Sequence, residues 1–157
     1  MTKNNLKLYN ILFPIWLFWL WPTVIWLIIL PANFVIDTLV LVIALKVLHI
    51  GQAFAVWKRS IVKVWLIGFV SDFLGAALIL AIMLLLDAVG SPLNTILFPG
   101  TTIISIPGVL LSGVLIYFFN RKLSFGRQEL TAVQIHKLSL ALAVFTAPYA
   151  MMIPLYG

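Results

Sequence analysis

No cysteine occurs in the 157 residues. Disulfides, thiolate metal sites and thiol chemistry are therefore excluded together, and the redox compartment is left open. Charge is nearly as scarce. Four residues are acidic and ten are basic, 9% of the chain, whereas a soluble domain carries about a quarter charged residues. No nucleophile elbow, phosphate loop, zincin motif or sequence-paired acid couple is present. His49 and His136 show no metal-ligand spacing, such as two histidines one helical turn apart, and read as interfacial. Neither a metal nor a cofactor is expected.

Apolar residues fill the space. They make up 64% of the chain, in uncharged runs long enough to need lipid. The expectation is a single-domain, all-α membrane protein. The net charge of +6 does not point to nucleic acid, because the charges flank the apolar runs instead of forming a solvated patch. They read as topology signals and as contacts for anionic lipid headgroups, with Lys58, Arg59, Lys63, Arg121, Lys122 and Arg127 as the contact residues.

Five transmembrane helices are expected, at about residues 8–30, 34–50, 64–86, 101–119 and 138–156. Lys3 and Lys7 precede an apolar run longer than a signal-peptide core, with no small-residue cleavage site, so the first span is expected to be retained. Pro14 and Pro22 kink it. Trp16, Trp19 and Trp26 share one arc, with Trp21 opposite, and suit a lipid-facing or interfacial surface. Leu30, Pro31, Ala32 and Asn33 read as a tight turn that folds spans one and two into a hairpin. Gly51 is the expected C-cap of span two. Residues 51–63, with Trp57 and three basic side chains, read as an interfacial loop or surface helix. Pro99 and Pro107 leave a short segment at 93–98, re-entrant in this reading, before the fourth span. Residues 120–137 form a second basic loop with an amphipathic end, where Glu129 stands near a helix start. Pro148 and Pro154 make the last span irregular at its outer end. The run from Asn10 to Pro14 is echoed from Asn94 to Pro99, each followed by a proline eight residues on, as an inverted repeat would leave.

With the N-terminus cytoplasmic and the C-terminus outside, all ten basic residues fall on the inner side, as the positive-inside rule requires. A plasma membrane of bacterial type is expected.

Ionisable groups at membrane depth are expensive, roughly 2.5–3.5 kcal/mol on insertion scales, and usually have a partner or a task. Asp37, Lys46 and Asp72 are the candidates. Asp72 lies eight residues past Val64, about 12 Å deep, among Gly68, Ser71, Gly75 and Ala76 on a face suited to close helix approach. Lys46 reaches a similar depth and could pair with it or snorkel to the interface. Asp37 is expected at the outer end of span two. It is nine residues from Lys46, about half a turn out of phase, so the two face apart. Thr101, Ser105, Gly108 and Ser112 form a small-residue stripe on span four, suited to close packing or, with a carbonyl freed by Pro107, to lining a cation path.

Three function classes fit. A non-catalytic structural or accessory subunit of a membrane complex comes first. A small oligomeric transporter or channel using an intramembrane Asp72 site is the alternative, and a membrane-embedded lipid-acting enzyme is the third. The expected partners are the bilayer with its anionic headgroups and either a second copy of the chain or another membrane protein.

Overall fold

Pro31 lacks an amide hydrogen, and its ring crowds the carbonyl four residues back. The helix nevertheless runs through it. The computed structural model describes residues 26–93, 95 and 98–153. Its first helix, α1, spans Trp26–Val47 without interruption, so the turn expected at residues 31–33 is corrected. A proline is tolerated in a membrane helix where neighbouring groups serve the disturbed backbone. Beside the proline, α1 is held by Trp65, whose Nε1 donates to the Leu30 carbonyl at 3.2 Å and whose ring meets Phe34 edge-on, with centroids 6.1 Å apart. The rest of the expected first span, with Trp16, Trp19 and Trp21 and the first copy of the proline echo, lies outside the described residues.

His49, not Gly51, closes α1. Its φ of 51° is left-handed. The His49 amide donates to the Lys46 carbonyl, and the Ile50 amide donates to Leu45. These are the two bonds of a Schellman cap, and Ile50 packs on the core that holds Leu45, as such caps do. Histidine adopts this conformation more readily than most residues, and a β-branched side chain adopts it poorly. His49→Val should therefore lower stability by about 1–2 kcal/mol, whereas His49→Gly should not, as thermal unfolding in detergent would show.

Helix α2 spans Ala53–Ala88, 36 residues. The segment expected as a loop or surface helix is its first three turns. At 1.5 Å per residue the helix is about 54 Å long, well beyond the roughly 30 Å hydrocarbon core of a bilayer. Its apolar part, from Val64 onward, is the expected third span.

Residues 94, 96 and 97, half of the expected re-entrant piece, lie outside the described residues. Helix α3 follows at Gly100–Phe119. It crosses α2 at two glycines. A Cβ on Gly75 would stand 2.6 Å from the Gly108 carbonyl oxygen, and a Cβ on Gly108 would stand 2.6 Å from that of Gly75 and clash with Ile79. Only glycines let the backbones come this close.

The expected basic loop opens as a π-helical turn over Asn120–Ser124. The Phe125 amide reaches back to the Asn120 carbonyl, and Phe125 is fully buried. The last long helix, α4, spans Ala132–Phe145 and opens on a capping box between Thr131 and Gln134. It therefore starts six residues before the expected span. After it the chain breaks into a short 3-10 turn, Tyr149–Met152. Carbonyls freed by such a break need donors in lipid. Ser105 Oγ lies 2.8 Å from the Met151 carbonyl oxygen, and Thr102 Oγ1 donates to that of Met152 at 3.0 Å.

Four helical segments among the described residues are long and apolar enough to cross a membrane. Their exposed flanks carry Leu39, Ile43, Leu66, Val70, Leu110 and Val114, while Ser60, Ser71, Ser105, Ser112 and Ser139 are buried. Apolar outside and small hydroxyls inside is the pattern of helices packed in lipid. The chain is compatible with a multi-pass integral membrane protein.

Candidate functional site

A carboxyl side chain has one short methylene and cannot reach the interface from mid-helix, so its neighbours must solvate it. Two such groups face each other here. Asp72 lies 19 residues into α2, about 29 Å from that helix's start and about 24 Å from its end. Asp37 lies at the midpoint of α1 and is only 5% exposed. The expectation that Asp37 sits at the outer end of its span is corrected. That placement assumed a helix beginning after Asn33, and α1 begins at least two turns earlier.

Gly68 lets the two acids meet. Asp37 Oδ2 lies 3.5 Å from where a Gly68 Cβ would be. Asp72 is one helical turn further along the same face, and residues so spaced are about 5–6 Å apart. Asp72 Oδ1 accepts a 2.6 Å hydrogen bond from Ser112 Oγ on α3, a length typical of a hydroxyl on a charged oxygen. The hydroxyl of Thr146, the C-cap of α4, lies near Asp37. Thr146 Oγ1 donates to the Leu142 carbonyl oxygen at 2.8 Å. All four helices therefore contribute to one polar centre. Thr38 Oγ1 and Ser71 Oγ, on residues next in sequence to the acids and so about 100° round their helices from them, are buried without a hydrogen-bond partner among the described residues, as is Ser139 Oγ.

Comparison with known protein families, curated proteins and solved structures found no match.

The other sequence candidates lie elsewhere. Lys46 is exposed one residue before the end of α1, about 14 Å along the helix from Asp37, and is not brought to Asp72. The small-residue stripe divides. Ser112 joins the carboxyl centre, Ser105 serves the broken end of the chain, and Thr101 donates to the Thr95 carbonyl. Lys58, Arg59, Lys63, Arg121, Lys122 and Arg127 are all exposed. His136 Nδ1 shares a 2.8 Å hydrogen bond with the Tyr117 hydroxyl, which also accepts from Arg121.

Thr146 was not among the sequence candidates. A signal for it existed, because it is the only polar side chain between Ser139 and Tyr149. The argument that singled out Asp72, a polar group alone in an apolar run, applies to it equally.

Proposed function

We propose that this protein is a small membrane carrier for a proton or a monovalent cation, with Asp37 and Asp72 as the carrying pair. The observation behind it is that two carboxyl groups on neighbouring helices face each other at mid-helix depth. Like charges at that depth repel strongly, and a proton or a cation held between them relieves the repulsion. The hydroxyls of Ser112 and Thr146 supply further oxygen, the ligand type that hard cations prefer. In this reading the basic end of the bundle faces the cytoplasm, the chain spans a bacterial-type plasma membrane, and copies associate through the exposed apolar flanks.

The test is ion flux in liposomes containing the purified protein and a pH-sensitive lumenal dye, under sodium or potassium gradients. The wild type should exceed empty liposomes. Asp37→Asn and Asp72→Asn should each fall to background. Asp87→Asn, at an exposed position near the end of α2, should keep full flux. A wild type no faster than empty liposomes, or carrying-pair variants as fast as wild type, would overturn the proposal. An accessory subunit is the second reading, favoured by the glycine-tight crossing of α2 and α3, and it expects no flux from the protein alone.

A further inference from the structure

A second polar feature lies at the basic end of the bundle, away from the carboxyl pair. The cap of α1, the start of α2 and the segment before α4 enclose a cavity of about 310 Å³, at the lower end of the range for small-ligand pockets. Its wall includes His49, Gln52, Arg59, Gln128, Glu129 and Gln134. The two opposite charges are informative. Arg59 comes from the second turn of α2 and Glu129 from the loop before α4, and no ion pair joins them within the described structure. One cation and one anion thus share a small cavity without meeting. Gln52 makes no capping bond, so its amide is free. Gln128 spends its Nε2 on the Ser124 carbonyl and keeps an acceptor oxygen. Gln134 spends its oxygen on the Thr131 amide and keeps its donors. Phe54 and Val133, each adjacent in sequence to a wall residue, are exposed apolar side chains.

We propose that this cavity binds a zwitterionic aminoethyl phosphate group, as carried by a phospholipid headgroup. Arg59 presents a planar fork of donors to the phosphate oxygens. Glu129 accepts from the primary ammonium, which offers three N–H donors. The unengaged glutamine donors and acceptor complete the two ends. The opening first turn of α2 adds a favourable field for the phosphate. Phe54 and Val133 give the acyl chains an apolar way out into the bilayer. A purely anionic headgroup leaves Glu129 opposed to it. A quaternary ammonium brings no N–H to the carboxylate.

Native mass spectrometry of the full chain in detergent tests this, with phosphatidylethanolamine, phosphatidylglycerol and phosphatidylcholine of matched acyl chains. Phosphatidylethanolamine should bind at about tenfold lower concentration than either of the others, a difference of about 1.4 kcal/mol. Arg59→Gln and Glu129→Gln should each abolish that preference, and Asp87→Asn, exposed at the far end of α2 from the cavity, should keep it. The preference is a ratio read within each variant, so a partly unfolded fraction lowers both binding curves and leaves it unchanged. Equal binding of phosphatidylglycerol, or a preference that survives Glu129→Gln, would overturn the proposal. Displacement of the lipid by soluble phosphoethanolamine would support the site and assign it to a free aminophosphate. Failure of that displacement would support the lipid.

Discussion

Replacing Gly108 with leucine should force α2 and α3 apart and leave the protein unable to form a single folded species. The space for a side chain there is already filled. Its Cβ alone would stand 2.6 Å from the Gly75 carbonyl oxygen and against Ile79. Ile79 can rotate, but a backbone oxygen in the middle of a helix moves only if the helix moves. Overpacking of this kind costs about 1–3 kcal/mol for small additions, and leucine adds three further carbons. Gly108→Ala should fall within that range and leucine above it, measured by thermal unfolding and by the monodisperse fraction in detergent. The reciprocal change, Gly75→Ala, meets the Gly108 oxygen and the Ser112 Cβ and should cost a similar amount. The two alanines together should cost less than their sum, because separation forced by the first makes room for the second. Gly51, with nothing within 4 Å of its absent Cβ, is the control: Gly51→Ala should change nothing. A leucine variant that melts like wild type would mean that the helices do not cross at these glycines. Separation should also reach the carboxyl centre, since Ser112 stands one turn beyond Gly108 and holds Asp72 at 2.6 Å.

Asp37→Leu should make the protein more stable while removing its flux. Replacing a mid-membrane carboxyl by an apolar side chain removes the burial cost and the repulsion from Asp72. Insertion scales put the first of these at roughly 2.5–3.5 kcal/mol at a helix centre, and relaxation in a folded bundle reduces it, so a gain of about 1–3 kcal/mol is expected. Thr146 keeps its Leu142 carbonyl as an acceptor, so no hydroxyl is stranded. Asp72→Leu should gain less, because Ser112 loses its acceptor and must turn back to its own helix. Opposite signs for stability and flux are the mark of a residue kept for function at the expense of stability. A structural bond predicts the reverse: Asp37→Leu should then melt lower. Differential scanning of wild type and both variants, alongside the flux measurement, separates the two.

The sequence placed Asp72 on a face of small residues, and Ser112 on a stripe that had to pack against something. It set Asp37 at the outer end of its span and away from Asp72. In a soluble helix the polar side marks the outside, and a buried acid stands out against that period. Here the lipid side of α1, with Leu39 and Ile43, is as apolar as the bundle side, with Leu41 and Leu45. No period therefore tells which way Asp37 points. Helix boundaries failed for a related reason. The start of the third span was read from where Lys58, Arg59 and Lys63 give way to apolar residues. That change marks a switch in side-chain polarity, not the end of hydrogen bonding, and α2 passes through it from Ala53. Pro31 misled in the same direction. Its local preference for a turn is overridden by the tertiary contacts of Trp65 with Leu30 and Phe34, which no local reading contains.

The length of α2 has a mechanical side. One unbroken rod of 36 residues joins the basic end, with Arg59 on its second turn, to the carboxyl of Asp72 near its middle. Its backbone hydrogen bonds run on without a break, so torque applied at the basic end is passed along to the middle. Rolling the rod by a single residue position, about 100°, would swing Asp72 out of register with both Ser112 and Asp37. Whatever grips the basic end of this helix thereby holds a crank on the carboxyl pair.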